Sequence, residues 1–206
     1  MLTWQQVFSA LRGQRNRPET TFMPATPINF CPTCGAQTTM RVPEGDSFPR
    51  AVCNVCNAIH YQNPKIVVGC IPEWEDKIVI CKRAIEPRYG LWTLPAGFME
   101  NRESAPEGAA REALEEANAK VEITDLYTVY SIPHISQVYM MFRARLLDPD
   151  VSAGAESLEV MLATEDQIPW DQLAFTMVRN TLRHFYADRR SGIFIPRIGD
   201  IKPPER

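Results

Sequence analysis

Glu112, Glu115 and Glu116, near the middle of the chain, are the residues whose type and spacing most directly imply chemistry. Separations of three and four residues put all three carboxylates on one face of a helix. Like charges at that spacing repel and destabilise a bare helix, so the cluster needs either open solvent or a cation. Carboxylate oxygens with retained waters are what Mg²⁺ (or Mn²⁺) prefers. Taken alone, a solvated acidic face is the competing reading of such a run.

A second constellation lies upstream. Cys31-Pro-Thr-Cys34 and Cys53-Asn-Val-Cys56 are separated by 18 residues (35–52), inside the spacing of a four-cysteine zinc site. Two residues between cysteines let both thiolates of a turn face one ion, and two such turns complete a tetrahedron. Gly35 suits the tight turn after the first pair. Disulfides are the alternative, disfavoured in a chain without an export signal. With all four positions filled by protein, this Zn²⁺ would be structural. Cys70 and Cys81 stand inside apolar runs and read as buried small residues.

The elements that must position these groups are legible in outline. Ser104 with Glu107 forms a capping box and Pro106 falls in a first turn, so the spacing predicts a helix over 104–117. The runs 66–71 and 77–81 read as a hairpin, and 121–131, 137–147 and 157–163 as further strands. Helical periodicity returns over 175–189. The chain divides into a leader (1–28), a cysteine-bearing ribbon (29–63), a main domain (64–190) and a tail (191–206) expected to be extended. Trp4, Val7, Phe8 and Leu11 in the leader, followed by Arg12, Arg15 and Arg17, suggest a short amphipathic helix, with an organelle transit peptide as the alternative. Hairpins mixed with scattered helices make the class α+β rather than a regular βαβ winding.

From Gly97 to Ala119 the chain resembles the Nudix box, G-x₅-E-x₇-R-E-U-x-E-E-x-G-U, where U is bulky and aliphatic. Gly97, Glu103, Arg111, Glu112, Glu115 and Glu116 fall on its fixed positions. Asn118 stands where glycine is usual, and Ala113 and Ala119 occupy U positions. Asparagine tolerates the left-handed conformation of a helix end better than other residues with a side chain. The resemblance implies a Nudix fold, a mixed β-sheet sandwiched between helices, behind the zinc ribbon. It implies hydrolysis of a phosphoanhydride by water, with Mg²⁺ or Mn²⁺ held by Glu112, Glu115 and Glu116 and the carbonyl of Ala96 or Gly97. It makes Glu103–Arg111 a structural ion pair. For the catalytic base it leaves Glu115, Glu156 and Glu159, of which Glu156, as base or metal ligand, is favoured.

A four-cysteine ribbon before a Nudix domain resembles NADH pyrophosphatases and a group of FAD or ADP-ribose pyrophosphatases. The S-Q-P-W-P-F-P-x-S array of the NADH group is absent after the box, where Ser136-Gln137-Val138-Tyr139 stands, and Pro133 lies where ADP-ribose-type enzymes tend to carry a proline. FAD or ADP-ribose, cleaved to release AMP, is therefore the expected substrate, and NADH the alternative. Arg83, Arg88, Trp92, His134 and Gln137 are candidate substrate contacts, since a guanidinium suits phosphate and an aromatic suits a flat base. A non-catalytic nucleotide sensor or a nucleic-acid-binding ribbon are readings of another class. The first would be free to lose acidic positions that this chain retains. The second is opposed by a formal charge of −3 and by only Arg41 and Arg50 as basic residues between 29 and 60. With no run of 18 apolar residues, a membrane partner is not expected, and the cytoplasm is the expected location. Many relatives are dimers, so a homodimer is the assembly the resemblance suggests.

Overall fold

The computed structural model describes residues 27–203. The leader helix expected around Trp4–Leu11 lies outside them. The chain forms two compact units that divide between Tyr61 and Gln62.

In the first unit, β1 (Thr38–Arg41), β2 (Arg50–Cys53) and β3 (Ile59–His60) make a small antiparallel sheet. Its buried apolar side chains are few, chiefly Ala51 and Val52, while Phe30, Met40, Phe48 and Val55 are exposed. So little apolar burial cannot offset the entropy of ordering the segment, and a cross-link must hold it. The cysteines supply the means. Cys31 and Cys53 are buried, and all four sulfurs lie within 4.8 Å of one another.

The second unit is a three-layer sandwich. Its sheet contains β4 (Lys65–Trp74), β5 (Lys77–Arg83), β6 (Trp92–Thr93), β7 (Ala96–Phe98), β8 (Val121–Ile132), β9 (Gln137–Leu146), β10 (Ser157–Ala163) and β11 (Arg197–Asp200). The main path runs β10-β5-β4-β9-β8-β11, with β6 on β5 and β7 on β4. Helix α1 (Ala105–Ala117) covers one face and α2 (Thr176–Ser191) the other. Successive strand residues divide between the two layers. Val68, Cys70, Val79 and Cys81 pack with Ala109, Ala113 and Ala117 of α1. Ile71, Ile78 and Ile80 pack with Met177, Leu182 and Phe185 of α2. Small alanines bring α1 close to the sheet, which accounts for Ala113 where the box favours a bulkier residue.

The expected hairpin exists, but its antiparallel register covers only Glu73↔Ile78 and Trp74↔Lys77. Along its length β4 instead pairs in parallel with β9, from Lys65↔Gln137 to Glu73↔Arg145. Residues 67–72 are buried, as suits a strand covered on both faces. The other edge of β4 forks: Val67–Gly69 pair with β7, and its last residues pair with β5. At the fork a side chain on Gly69 would come within 2.5 Å of the Pro95 carbonyl oxygen, so only glycine fits.

Helix α1 begins as its sequence predicts. The Ser104 amide donates to the Glu107 carboxylate (2.8 Å), and the Glu107 amide donates back to Ser104 Oγ (3.4 Å). The tail is extended over Arg197–Asp200 and pairs there as β11, in parallel with β8. It is held by buried Asp188 of α2, which accepts hydrogen bonds from Arg197 (two of 2.6 Å), Tyr127 Oη (2.9 Å) and the Ile195 amide (3.1 Å). Among the described residues no helix is long and apolar enough to cross a membrane.

Candidate active site

The turn of α1 that carries Glu112 and Glu116 faces β7. Glu116 is 5% exposed and its carboxylate accepts the Ala96 amide at 3.1 Å. Glu112 is 8% exposed and lies against Gly97, where an added methyl would fall within 2.5 Å of the carboxylate. Gly97 is thus required by the approach of the helix to the strand, whatever its carbonyl holds. Glu115 is more open, with 58% of its side chain exposed.

One guanidinium organises the cluster. Arg111 donates to both oxygens of Glu103 (2.8 and 3.0 Å), to Glu112 (2.7 Å), to Glu115 (2.9 Å) and to the Phe98 carbonyl (3.1 Å). The fork on Glu103 ties the loop after β7 to the helix, and the Glu100 amide also donates to Glu103. Arg111 holds the Glu103 carboxyl down to about 2.

The deeper carboxylates are shifted the other way. Burial pushes Glu116 up to about 8; the Ala96 amide and Arg83 pull it down, and Glu112 and Glu156 push it further up. Burial raises Glu112 as well, with Arg111 opposing. Two buried carboxylates, both shifted upward by burial, form a site that lacks positive charge, and a hard cation would supply it. The residues therefore fit a divalent metal.

Glu156 reaches the same corner from the loop before β10. Two contacts seat that loop on the end of α1, the Ser152 amide donating to Ala117 O (3.0 Å) and the Gly154 amide to Glu116 O (3.0 Å), and a third ties it to the end of β5, where the Ala84 amide donates to Glu156 O (2.8 Å). A side chain on Gly154 would overlap the Glu115 carbonyl oxygen. Asn118, in the left-handed conformation (φ 49°), donates its side-chain amide to Ser152 O and Oγ (3.2 and 3.0 Å). Where the box has glycine, this chain has a residue that both ends the helix and holds the loop.

Glu112, Glu115, Glu116 and Glu156 line one side of a cavity of about 910 Å³, large enough for a dinucleotide. Arg83, Arg88, His134 and Gln137 line it too. Arg83 is buried at 8% exposure; its Nε donates to Pro87 O (3.0 Å) and its guanidinium lies 5.2 Å from the Phe175 ring centroid. Its charge reaches Glu116 and Tyr139. Two expectations need correcting. Trp92 is 6% exposed and packs in the core on the α2 side, while its neighbour Thr93 meets the cavity. Glu159 turns outward to Lys82 (3.5 Å) and does not line the cavity. The aromatic rings at the cavity are Phe98, Tyr139 and Phe175, none of which the sequence singled out as a contact.

The ribbon cysteines form a separate centre. Sulfur–sulfur distances of 3.4 Å (Cys34–Cys53), 3.5 Å (Cys34–Cys56) and 3.7 Å (Cys31–Cys56) are close to the edge of about 3.8 Å expected for a tetrahedron with Zn–S bonds near 2.3 Å. No disulfide joins them. The Cys53 sulfur accepts the amides of Val55 and Cys56, each at 3.4 Å. Burial pushes the Cys31 thiol up, but the amides of Cys34 and Thr33, with His60 and Cys56, outweigh it and bring it down to about 5. Backbone amides likewise lower Cys53, favouring thiolate, the form that binds zinc, while the neighbouring sulfurs push Cys56 up to about 12, since crowded thiols do not all ionise without a cation between them.

Comparison with known proteins agrees with this geometry. The family model described as NUDIX domain matches residues 63–188, and the one described as Nudix N-terminal, a zinc ribbon, matches 29–62. A NUDIX hydrolase from Nitrosomonas europaea is 56% identical in sequence; the match covers 85% of this chain and 100% of that one, with a TM-score of 0.83. An ADP-ribose pyrophosphatase of Methanocaldococcus jannaschii is 30% identical over 121 residues, 56% of this chain and 69% of that protein. The NAD-capped RNA hydrolase NudC of Photorhabdus laumondii subsp. laumondii is 26% identical over 155 residues, 74% of this chain and 56% of that protein.

Proposed function

We propose, from the premise that this chain belongs to the NUDIX family and is a Nudix hydrolase, that it splits the diphosphate of a nucleoside diphosphate joined to a second moiety. FAD or ADP-ribose is the preferred substrate, giving AMP with FMN or with ribose 5-phosphate. The observation that carries this is a cavity of about 910 Å³ lined by four carboxylates together with Arg83 and aromatic rings. The relative named an ADP-ribose pyrophosphatase supports the choice, and the NudC relative keeps a nicotinamide dinucleotide as the second reading.

Position supports the following roles. Glu112 and Glu116, with Glu115, hold Mg²⁺ or Mn²⁺. When bound, such an ion neutralises phosphate charge and lowers the pKa of coordinated water. Arg83 binds a phosphate oxygen through the nitrogens that Pro87 leaves free, and its packing on Phe175 fixes the direction of approach. Glu156, outside the helix and close enough to raise both buried carboxylates, is placed to take the proton of the attacking water. Arg111 keeps Glu112 and Glu115 oriented and the preceding loop in place. Zn²⁺ in the ribbon is structural, bound by Cys31, Cys34, Cys53 and Cys56. Measuring kcat/KM for FAD, ADP-ribose, NADH and several triphosphates at one Mg²⁺ concentration is the test. A tenfold preference for NADH would favour the second reading, and preference for a triphosphate would overturn the proposal.

A further inference from the structure

The C-terminal strand is anchored far more firmly than a surface tail requires. Arg197 and Asp188 fix its start, and Phe194 packs against Phe185 and Tyr127 with ring centroids 5.7 and 6.2 Å apart. The Arg143 guanidinium stacks 3.4 Å from the Phe194 ring centroid. Gly199 lies on Tyr130, where a methyl would come 3.1 Å from the ring. The ladder on β8 ends at Asp200↔Ser131, and the Ile201 amide extends it by donating to Ser131 O (2.9 Å). Parallel registry then sets Ile201 and Lys202 beside Ile132 and the turn that carries His134, and all four residues line the cavity.

Two polar groups at this end have no partner among the described residues. Lys202 is exposed and makes no ion pair or hydrogen bond among the described residues. His134 Nδ1 is buried and has no hydrogen-bond partner among them. A cation without a partner among the described residues, beside a half-buried imidazole that also lines the cavity, is available to an anionic group of a ligand. The carboxylates do not share this end. From β11 the sheet steps through β8, β9 and β4 to β7, four spacings of about 4.8 Å or roughly 19 Å. A lysine stem does not bridge that distance to the same phosphate.

We propose that Lys202 and His134 form a second anion subsite that selects substrates carrying a phosphate group remote from the diphosphate being split. This rests on the pyrophosphatase reading and narrows the preference stated there: among ADP-ribose-like dinucleotides and sugar nucleotides, a form phosphorylated on the half that lies toward β11 is bound more tightly than the plain form. Lys202 is a specificity-determining residue, and the anchored tail exists to hold it there.

The test uses the full chain and three probes: ADP-ribose, ADP-ribose phosphorylated at the adenosine 2′ position, and ADP-ribose phosphorylated on the terminal ribose. Wild type should turn over at least one phosphorylated form with kcat/KM roughly tenfold above plain ADP-ribose, through a lower KM at equal kcat, the size expected of one charge-assisted contact. Lys202→Met should lose that preference while keeping its rate on plain ADP-ribose, and Lys202→Arg should retain most of it. No preference for either phosphorylated form, or a preference that survives Lys202→Met, overturns the subsite. Calorimetric titration of the same probes without divalent cation decides the matter even without turnover, since tighter binding of a phosphorylated form must again depend on Lys202. Failure to hydrolyse any of the three would count against the pyrophosphatase reading alone.

Discussion

Replacing Asn118 with glycine should separate the stability of α1 from the placement of Glu156. Glycine takes the left-handed backbone of this helix end freely, recovering about 1 kcal/mol that asparagine gives up there. It loses two exposed hydrogen bonds to Ser152 that share one amino group, together about 1 kcal/mol. The terms nearly cancel, so urea unfolding should show a change within about 1 kcal/mol. Activity should not be spared. The loop keeps its two backbone tethers to Glu116 and Ala117 but loses the side-chain one, and Glu156 gains freedom. Misplacing a reacting group by about 1 Å costs up to roughly 10²-fold, so partial release should lower kcat about tenfold with KM little changed. Asn118→Ala keeps the backbone cost and loses the bonds, so it should be less stable by about 1–2 kcal/mol with a similar loss of kcat. Urea melts and steady-state kinetics on both variants decide the matter. A glycine variant with full kcat would refute the claim that Asn118 serves Glu156.

Three further outcomes are expected. Glu112→Gln and Glu116→Gln should each lower kcat by on the order of 10²-fold or more while the fold stays intact by circular dichroism; near wild-type rates with Mg²⁺ would make the cluster a solvated face. Elemental analysis of protein purified without added metal should find one zinc per chain, and Cys34→Ser with Cys56→Ser should abolish it; intact folding of 29–62 without zinc would contradict the cross-link argument. The Arg197 guanidinium holds the Asp188 carboxyl well below the usual range, so its contribution is complete above about pH 4 and drains away as pH falls through the folded value. Asp188→Asn should therefore be less stable by about 2 kcal/mol at pH 7, less than a fully buried pair because Arg197 stays partly exposed, and thermal melts of the two proteins should converge toward pH 2.

What could be read in the sequence was local. The capping box, the carboxylate face of α1 and the cysteine knuckles each depend on residues within a few positions of one another. The same holds for β8, β9 and β10, whose apolar patterns mark their spans. What could not be read was set by tertiary registry. Arg197-Ile-Gly-Asp carries no strand pattern and becomes β11 only because Asp188 and β8 are there to receive it. Trp92 looked like a base-stacking residue, but strand parity decides between it and Thr93, and one residue's offset sent the indole to the core. Phe175 is silent in sequence because it precedes α2, and only the fold sets it under Arg83.

The six cysteine thiols fall into two chemical populations with a practical use. Cys70 and Cys81 lie between the sheet and α1, where burial and the nearby Glu116 push their thiols far above the ordinary range. They are poor nucleophiles that no reagent can reach in the folded protein. Every alkylatable sulfur of the native chain therefore belongs to the ribbon. Counting the labels that a thiol reagent adds, by mass spectrometry, becomes a direct gauge of zinc occupancy: none when the ion is held, up to four when it is lost. A fifth or sixth label would report the opening of the catalytic domain itself, so one reagent follows the melting of each unit separately.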